Sequence, residues 1–477
     1  MALISHEKIA HGLFWVEIPE QNLRLMCGSP ADAIKHLTLK GKVKHAPVDG
    51  FFAETGPNGI ILSDLFAQKG QLSNLTEFPL LHMLYKQGLL IPGHPNQGGA
   101  RPVLVGDPEQ LKRQKEYFFR GNSGIVKEEE YEPFGVPLET AREWISIKKR
   151  FAYGHFPIAD ELFDCIEITR GKVELRPGVE LTRLAVNVFE ISYKGEAIEI
   201  DLNLEQGEQY GMSYELPEIT LPDAKFAVVH TGEGDGWDPT RPCLSSLVIF
   251  DGKYYLIDAG PHIQTILKKL GLKPQDLSGV IMTHVHDDHF AGLYGLGSEK
   301  RGLAILASPY VYASMIHKFS SLLGLSLDEA VGWFHYEWLH PKAWNNVDGL
   351  EVYPFPSPHP LDTTLFQLRS KGPKGYKTYG HYADITSLGW LEKMTTPDEN
   401  GCGITEEFRS SLQEVLLKPL DVKKVDVGGA PIHGNFKDFV GDKSKRLIFS
   451  HTTSPLNGEQ LAIGEQASFG EVDILIP

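Results

Sequence analysis

The residues best fitted for chemistry lie in Thr283-His284-Val285-His286-Asp287-Asp288-His289, which spells H-x-H-x-D-H after an apolar run at 279–283. In extended backbone, side chains two apart point to the same side, so His284 and His286 can offer imidazoles to one metal ion. If a helix then begins near Asp288, that residue and His289 project at a different angle, toward a second ion. Neutral imidazole and carboxylate are ligands for Zn, Fe or Mn. Asp287 reads as a solvated neighbour of this set.

Such groups need a frame, and the second half of the chain has the pattern of one. Apolar strands are expected at 226–230, 244–250, 254–258 and 279–283, separated by Gly-containing turns. A helix at 262–272 carries Ile263, Ile266, Leu267 and Leu270 on one stripe. Beyond the histidines come a strand at 304–307, a helix after Pro309, and a helix capped by Ser326 with Glu329. Strands at 350–355, 364–368, 376–380 and 446–450 and a helix at 405–417 follow. Strands alternating with helices imply sheets covered by helices.

Residues 1–220 mix helical and strand signals without a spacing tied to chemistry. Ser29-Pro30 and Asp107-Pro108 each open a helix, a third runs from 138 to about 151, and 184–191 reads as one strand. No internal repeat is visible, and the Pro-flanked stretch 207–222 is a plausible junction. The fold class expected is therefore α/β, with a mixed α/β accessory domain at 1–220 before a metal-binding domain at 221–477.

Composition narrows the partners. The 477 residues carry 46 Lys+Arg and 62 Asp+Glu, and 46 − 62 gives −16. That balance, without a basic block, disfavours nucleic acid and anionic membranes as partners and favours a small-molecule substrate. Cys27, Cys165, Cys243 and Cys402 are far apart and read as reduced thiols. With no secretory signal at Met1–Lys8 and no apolar span of about 20 residues, the chain reads as soluble and cytoplasmic. The first half shapes a substrate channel or forms a homo-oligomer interface on this reading, with a binding or regulatory module as the alternative.

The histidine segment resembles the signature of the metallo-β-lactamase-fold metallohydrolase superfamily, and other motifs follow in that family's order over about 222–477. Leu256-Ile257-Asp258-Ala259-Gly260 resembles its strand-end Asp-Gly motif. His359 in Ser357-Pro358-His359-Pro360, Asp384 in Tyr382-Ala383-Asp384-Ile385-Thr386, and His451 after Arg446-Leu447-Ile448-Phe449-Ser450 resemble its remaining ligand positions. The resemblance implies an αββα sandwich, with His284, His286 and His359 holding one ion and Asp288, His289 and His451 the other. Asp384 would bridge them. Asp258 would orient a ligand histidine through a hydrogen bond.

Three further histidines stay open. His433, in Gly428-Gly429-Ala430-Pro431-Ile432-His433-Gly434, competes with His451 for the last ligand position; its Gly-rich loop suits substrate contact better. His381, three residues before Asp384, is a proton donor of the site, a support behind a ligand, or an exposed strand residue. His262 follows the Asp-Gly motif and is a candidate for the site's edge.

Two divalent ions, Zn foremost with Fe or Mn as alternatives, would lower the pKa of a bridging water and clamp the oxygens of a carbonyl or phosphoryl group. Asp288 would be indispensable to that attack. The expected activity is hydrolysis of a small phosphodiester, ester or thioester. Thr231-Gly232-Glu233-Gly234-Asp235-Gly236, then Pro242 and Leu244-Ser245-Ser246-Leu247, resembles the Gly-rich opening of the superfamily's phosphodiesterase branch. The rival is a diiron protein that reacts with or senses dioxygen or nitric oxide. Such relatives usually carry Glu where His286 stands, and a site richer in imidazole suits Zn better.

Overall fold

Phe226–Gly232, Ser245–Phe250 and Val422–Asp426 are buried at every position, inward and outward faces alike. A strand buried on both faces lies in a sheet covered on both sides, here by the opposing sheet and by helices. The computed structural model describes residues 3–48, 51–91, 93–98, 101–429 and 432–477. Met1 and Ala2 of the N-terminal segment, and Ala430 and Pro431 of the Gly-rich loop, lie outside them.

The chain divides into two compact units. One comprises Met1–Phe119, Pro157–Glu215 and Ser321–Gly324; the other comprises Arg120–Phe156, Leu216–Ser320 and Leu325–Pro477. This differs from a single break near 220, because Arg120–Phe156 belongs to the second unit.

In the second unit a seven-stranded sheet runs Phe334–Trp338, Leu303–Ala307, Leu277–Ile281, Lys253–Ile257, Ser245–Phe250, Phe226–Gly232 and Val472–Ile476. A six-stranded sheet runs Asn345–Val347, Leu350–Ser357, Thr363–Gly372, Gly375–Tyr382, Val422–Asp426 and Arg446–Ser450. Val228, Val248, Ile257 and Ile281 of the first meet Val352, Phe366, Tyr379 and Ile448 of the second in one apolar core. The helices Ile263–Lys269 and Pro309–Leu323 follow strands and Glu406–Leu417 precedes one, as the alternation requires. This is the αββα sandwich that the sequence suggests.

The first unit follows the same plan. Its main sheet orders Ser5–Ala10, Leu13–Ile18, Leu23–Cys27, Gly59–Ile61, Val103–Gly106 and Asp164–Glu167. The pairings are antiparallel twice and then parallel three times. The second unit pairs its first six strands in the same directions and order. Details repeat as well. A seven-residue helix follows a left-handed residue in each, Asp32 (φ 59, ψ 20) and His262 (φ 59, ψ 19). Gly28 N donates to the Ile61 carbonyl at 2.8 Å, and Asp258 N to that of Ile281 at 2.9 Å. A four-stranded antiparallel meander then follows in both. The chain thus contains an internal repeat of topology that its sequence does not display.

Two local expectations are corrected. The helix near Ser29 starts at Ala33, with Asp32 rather than Ser29 preceding it. The run at 184–191 is a hairpin: Val179–Ala185 turns at Val186 and Asn187 (φ 63) into Val188–Tyr193. Among the described residues, no helix is long and apolar enough to cross a membrane.

Candidate metal centre

The site is built where strands of both sheets end. Strand Leu277–Ile281 delivers His284, His286, Asp288 and His289, the last two from the short helix Asp287–Phe290. His359 follows Leu350–Ser357, Asp384 follows Gly375–Tyr382, and His451 follows Arg446–Ser450. Asp258 (φ 63), Asp384 (φ 48) and His451 (φ 58) are left-handed without being glycine. Each such residue costs about 1–3 kcal/mol, and such strain gathers at functional sites where the surroundings fix the geometry.

The side chains converge in two groups. His284 Nε2 lies 3.1 Å from His286 Nδ1, and His359 Nε2 lies 3.2 Å from the same atom. Asp384 Oδ2 stands 3.5 Å from both His284 Nε2 and His359 Nε2. In the second group Asp288 Oδ2 is 3.0 Å from His451 Nε2 and 3.5 Å from His289 Nε2. Asp384 Oδ1 is 3.1 Å from His289 Nε2 and 3.4 Å from His451 Nε2. One carboxylate therefore turns one oxygen to each group.

This donor set fits two metal ions. Ligands at 2.0–2.1 Å around a tetrahedral ion lie about 3.3–3.4 Å apart, close to the separations found. His284 Nε2 and His359 Nε2 both face His286 Nδ1, which has at most one proton to share between them, and Asp384 Oδ1 meets no donor in hydrogen-bonding geometry. A cation reconciles such a set; mutual hydrogen bonds do not. His284, His286, His359 and Asp384 form one possible ligand set, and Asp288, His289 and His451 another.

Asp258 serves both groups from beneath. Its Oδ2 accepts from His289 Nδ1 at 2.8 Å and from Thr283 Oγ1 at 2.7 Å, while Oδ1 accepts from Thr283 N at 2.8 Å. With its proton committed to Asp258, the Thr283 hydroxyl accepts from His284 Nδ1 at 3.1 Å. Both histidines are thereby fixed with Nε2 free as a ligand. His359 gains the same tautomer from the Ile432 carbonyl, 3.1 Å from Nδ1.

The groups differ in proton affinity. Burial holds His284 and His286 well below the usual imidazole range and lowers His359 to about 4. Burial acts the same way on His289 and His451, but Asp384 and Asp288 outweigh it and raise both well above that range. Burial alone would raise Asp288; His289 and His451 hold its carboxyl well below the usual value.

The other predicted residues fall as follows. His433 joins Asp384, Asp426 and His451 in a third candidate group, its Nδ1 3.1 Å from Asp426 Oδ2 and 3.8 Å from Asp384 Oδ2. His381 is wholly buried, not an exposed strand residue; its Nδ1 pairs with the Tyr379 hydroxyl at 2.9 Å, outside all three groups. His262 is buried at the start of Ile263–Lys269 and also lies outside them. Asp287 is not solvated. It is buried, 2.9 Å from Lys318 Nζ, which also donates to the Val285 carbonyl.

The Gly-rich opening braces the site. Gly234 N donates to the Pro242 carbonyl, Asp235 N to that of Thr452, and the Glu233 carbonyl accepts from His451 N at 2.8 Å. A Cβ on Gly232 would sit 1.8 Å from the Cys243 oxygen, so close backbone approach accounts for that glycine.

Asp426 is the site residue that sequence reasoning missed. It ends Val422–Asp426 before Gly428-Gly429, as Asp258 directly follows Lys253–Ile257 before Ala259-Gly260. That shared grammar was the available signal. In the first unit, Ser63-Asp64-Leu65-Phe66 follow Ile61-Leu62 where Thr283-His284-Val285-His286 follow Ile281-Met282. The repeat there keeps none of the imidazoles.

Several known proteins are similar to this chain. A family model described as the metallo-β-lactamase superfamily matches residues 238–387. Ribonuclease Z of Pyrobaculum neutrophilum is 36% identical over 256 residues, covering 52% of this chain and 71% of that protein. The cGMP-dependent 3′,5′-cGMP phosphodiesterase A of Dictyostelium discoideum is 21% identical over 210 residues, 44% of this chain but only 23% of that protein. The short form of human tRNase Z aligns at 18% identity over 52% of this chain and 99% of its own, with a TM-score of 0.38. The chain belongs to the metallo-β-lactamase superfamily.

Proposed function

We propose that this protein is a dinuclear metal-dependent hydrolase of a small phosphodiester. The carrying observation is Asp384, whose two oxygens face two separate imidazole-rich groups. His284, His286, His359 and Asp384 would hold one ion, and Asp288, His289, His451 and Asp384 the other. Such a pair, when bound, activates water at neutral pH and neutralises charge developing on phosphoryl oxygens.

The chain's own residues supply the rest. Asp258 and Thr283 keep the ligand nitrogens deprotonated and aimed. His433, one-fifth exposed and held by Asp426, is the group placed to deliver a proton to a leaving oxygen. Burial lowers its proton affinity, but Asp426 prevails and raises it above the ordinary value. The names of two relatives, a ribonuclease and a cyclic-nucleotide phosphodiesterase, support phosphodiester over ester or thioester chemistry. A net charge of −16 supports a small substrate over a polyanion.

The test is elemental analysis of the purified chain with an absorption spectrum in air, followed by assays on bis(p-nitrophenyl) phosphate, cyclic nucleotides, an RNA hairpin, esters and thioesters. About two zinc or manganese ions per chain and turnover of small phosphodiesters are expected. About two irons with oxygen-sensitive absorption would refute the reading in favour of diiron chemistry. Faster turnover of the hairpin would refute the small substrate.

A further inference from the structure

Arg120–Phe156 lies in the first half of the sequence yet packs within the metal-binding unit. Its helix Leu138–Phe151 buries Ala141, Trp144, Ile147 and, on the same stripe, Lys148. A buried ammonium requires an anion and hydrogen-bond acceptors. Lys148 Nζ has them: Asp362 Oδ2 at 2.9 Å, the Tyr131 hydroxyl at 2.6 Å and the Ile125 carbonyl at 2.5 Å. The Tyr131 hydroxyl donates onward to Asp362 Oδ1 at 2.5 Å, and Ser314 Oγ donates to Oδ2 at 2.5 Å. The Lys148 and Asp362 side chains are 0% exposed.

Asp362 stands three residues beyond His359. A second path leads the same way. The Trp144 ring lies 4.9 Å from that of Tyr310, whose hydroxyl accepts from Thr364 Oγ1 at 3.0 Å, and Thr364 N donates to the carbonyl of Thr283. The segment thus reaches both the His359 loop and the residue preceding His284.

We infer that Lys148 and Tyr131 are positioning residues for the first metal group, through which the segment Arg120–Phe156 grips Asp362 and fixes the loop that presents His359. The inference rests on His359 being a ligand. A buried ion pair contributes little net stability, because desolvation offsets its attraction, while it does enforce one geometry. His359 Nδ1 donates to the Ile432 carbonyl at 3.1 Å and the Pro358 carbonyl accepts from Thr386 Oγ1 at 2.6 Å, so Asp362 anchors the far side of the same loop.

The test uses the full chain with Lys148→Met and Tyr131→Phe. Cobalt titration of metal-free protein reads the affinity, and hydrogen exchange of the peptide 357–364 reads the loop. Both variants should exchange faster at 357–364 and bind one of two cobalt ions about 10-fold more weakly, with the other unchanged. Double substitution Lys148→Met/Asp362→Asn should restore thermal stability without restoring that affinity, which a merely structural pair would not do. Unchanged exchange and affinity in a folded Tyr131→Phe protein would overturn the inference, even if Lys148→Met fails to fold. Faster exchange in both variants, with a wild-type chain that binds no cobalt, would instead overturn the metal reading and leave the grip on the loop standing.

Discussion

Asp258→Asn is the most informative single-atom change the site offers. Asp258 is wholly buried and accepts three hydrogen bonds, from Thr283 N, Thr283 Oγ1 and His289 Nδ1. An asparagine amide facing Thr283 N would set donor against donor, so its NH2 must turn to the Oδ2 side. There it donates to His289 Nδ1 and moves that imidazole's proton to Nε2, the ligand nitrogen. It also donates to the Thr283 hydroxyl, whose own proton then points at His284 Nδ1 and displaces that proton in the same way. Each reversal removes one hydrogen bond to a charged acceptor, about 1.5–3 kcal/mol, or roughly 10- to 150-fold in binding. That agrees with the 10- to 100-fold generally lost when such an orienting partner is removed. Competition of metal-free protein against a chromophoric chelator should show both ions weakened. Thr283→Val, which removes only the hydroxyl relay, should weaken the His284 ion alone. A folded Asp258→Asn protein that binds both ions as tightly as wild type would refute the tautomer argument.

Other outcomes follow from the same geometry. His451→Ala should lower bound metal from about two ions per chain to about one, while His433→Ala keeps two and loses turnover; elemental analysis and a phosphodiester assay separate the roles. Asp288→Ala should cut hydrolysis more than about 100-fold, and near-native turnover would count against two cooperating ions. In the first unit, burial would raise the Glu54 carboxyl, but His82 at 2.9 Å and Lys86 pull it from the ordinary 4.5 down to about 2. A carboxyl depressed on folding adds stability above its unfolded pKa and loses it as pH falls from about 4.5 to about 2. Melting temperature should therefore fall less steeply over that window in Glu54→Gln than in wild type.

What the sequence disclosed is the part encoded locally. The His284–His289 cluster, the apolar strands beside it and the Ser326–Glu329 cap each lie within a few residues, and each is found in the structure. Strand Val422–Asp426 escaped notice because Lys423 and Lys424 look like a solvated pair. Both are buried, Lys423 against Asp442 and Lys424 against Glu233, partners 19 and 191 positions away. Asp426 was hidden with them. Lys148 deceived in the same way on a helix, and Asp287 through its distant partner Lys318. The repeat of topology was illegible for a different reason. Register and strand direction are backbone properties, and only apolar character need persist to keep them.

The pairing of Lys148 with Asp362 spans 214 residues of chain. At 5–20 residues per second, a ribosome takes about 10–40 s to make that interval. Throughout it the ammonium on helix Leu138–Phe151 has no carboxylate to meet, and its apolar stripe lacks Tyr310 until the 300s are made. The segment must therefore wait in a solvated or shielded state while Met1–Phe119 and Pro157–Glu215 are already made. A ribosome-bound chain halted before Asp362 would accordingly show Arg120–Phe156 more open to protease than in the full-length protein. Severing the chain near 220 would leave Asp362 without the Lys148 ammonium that pairs with it here.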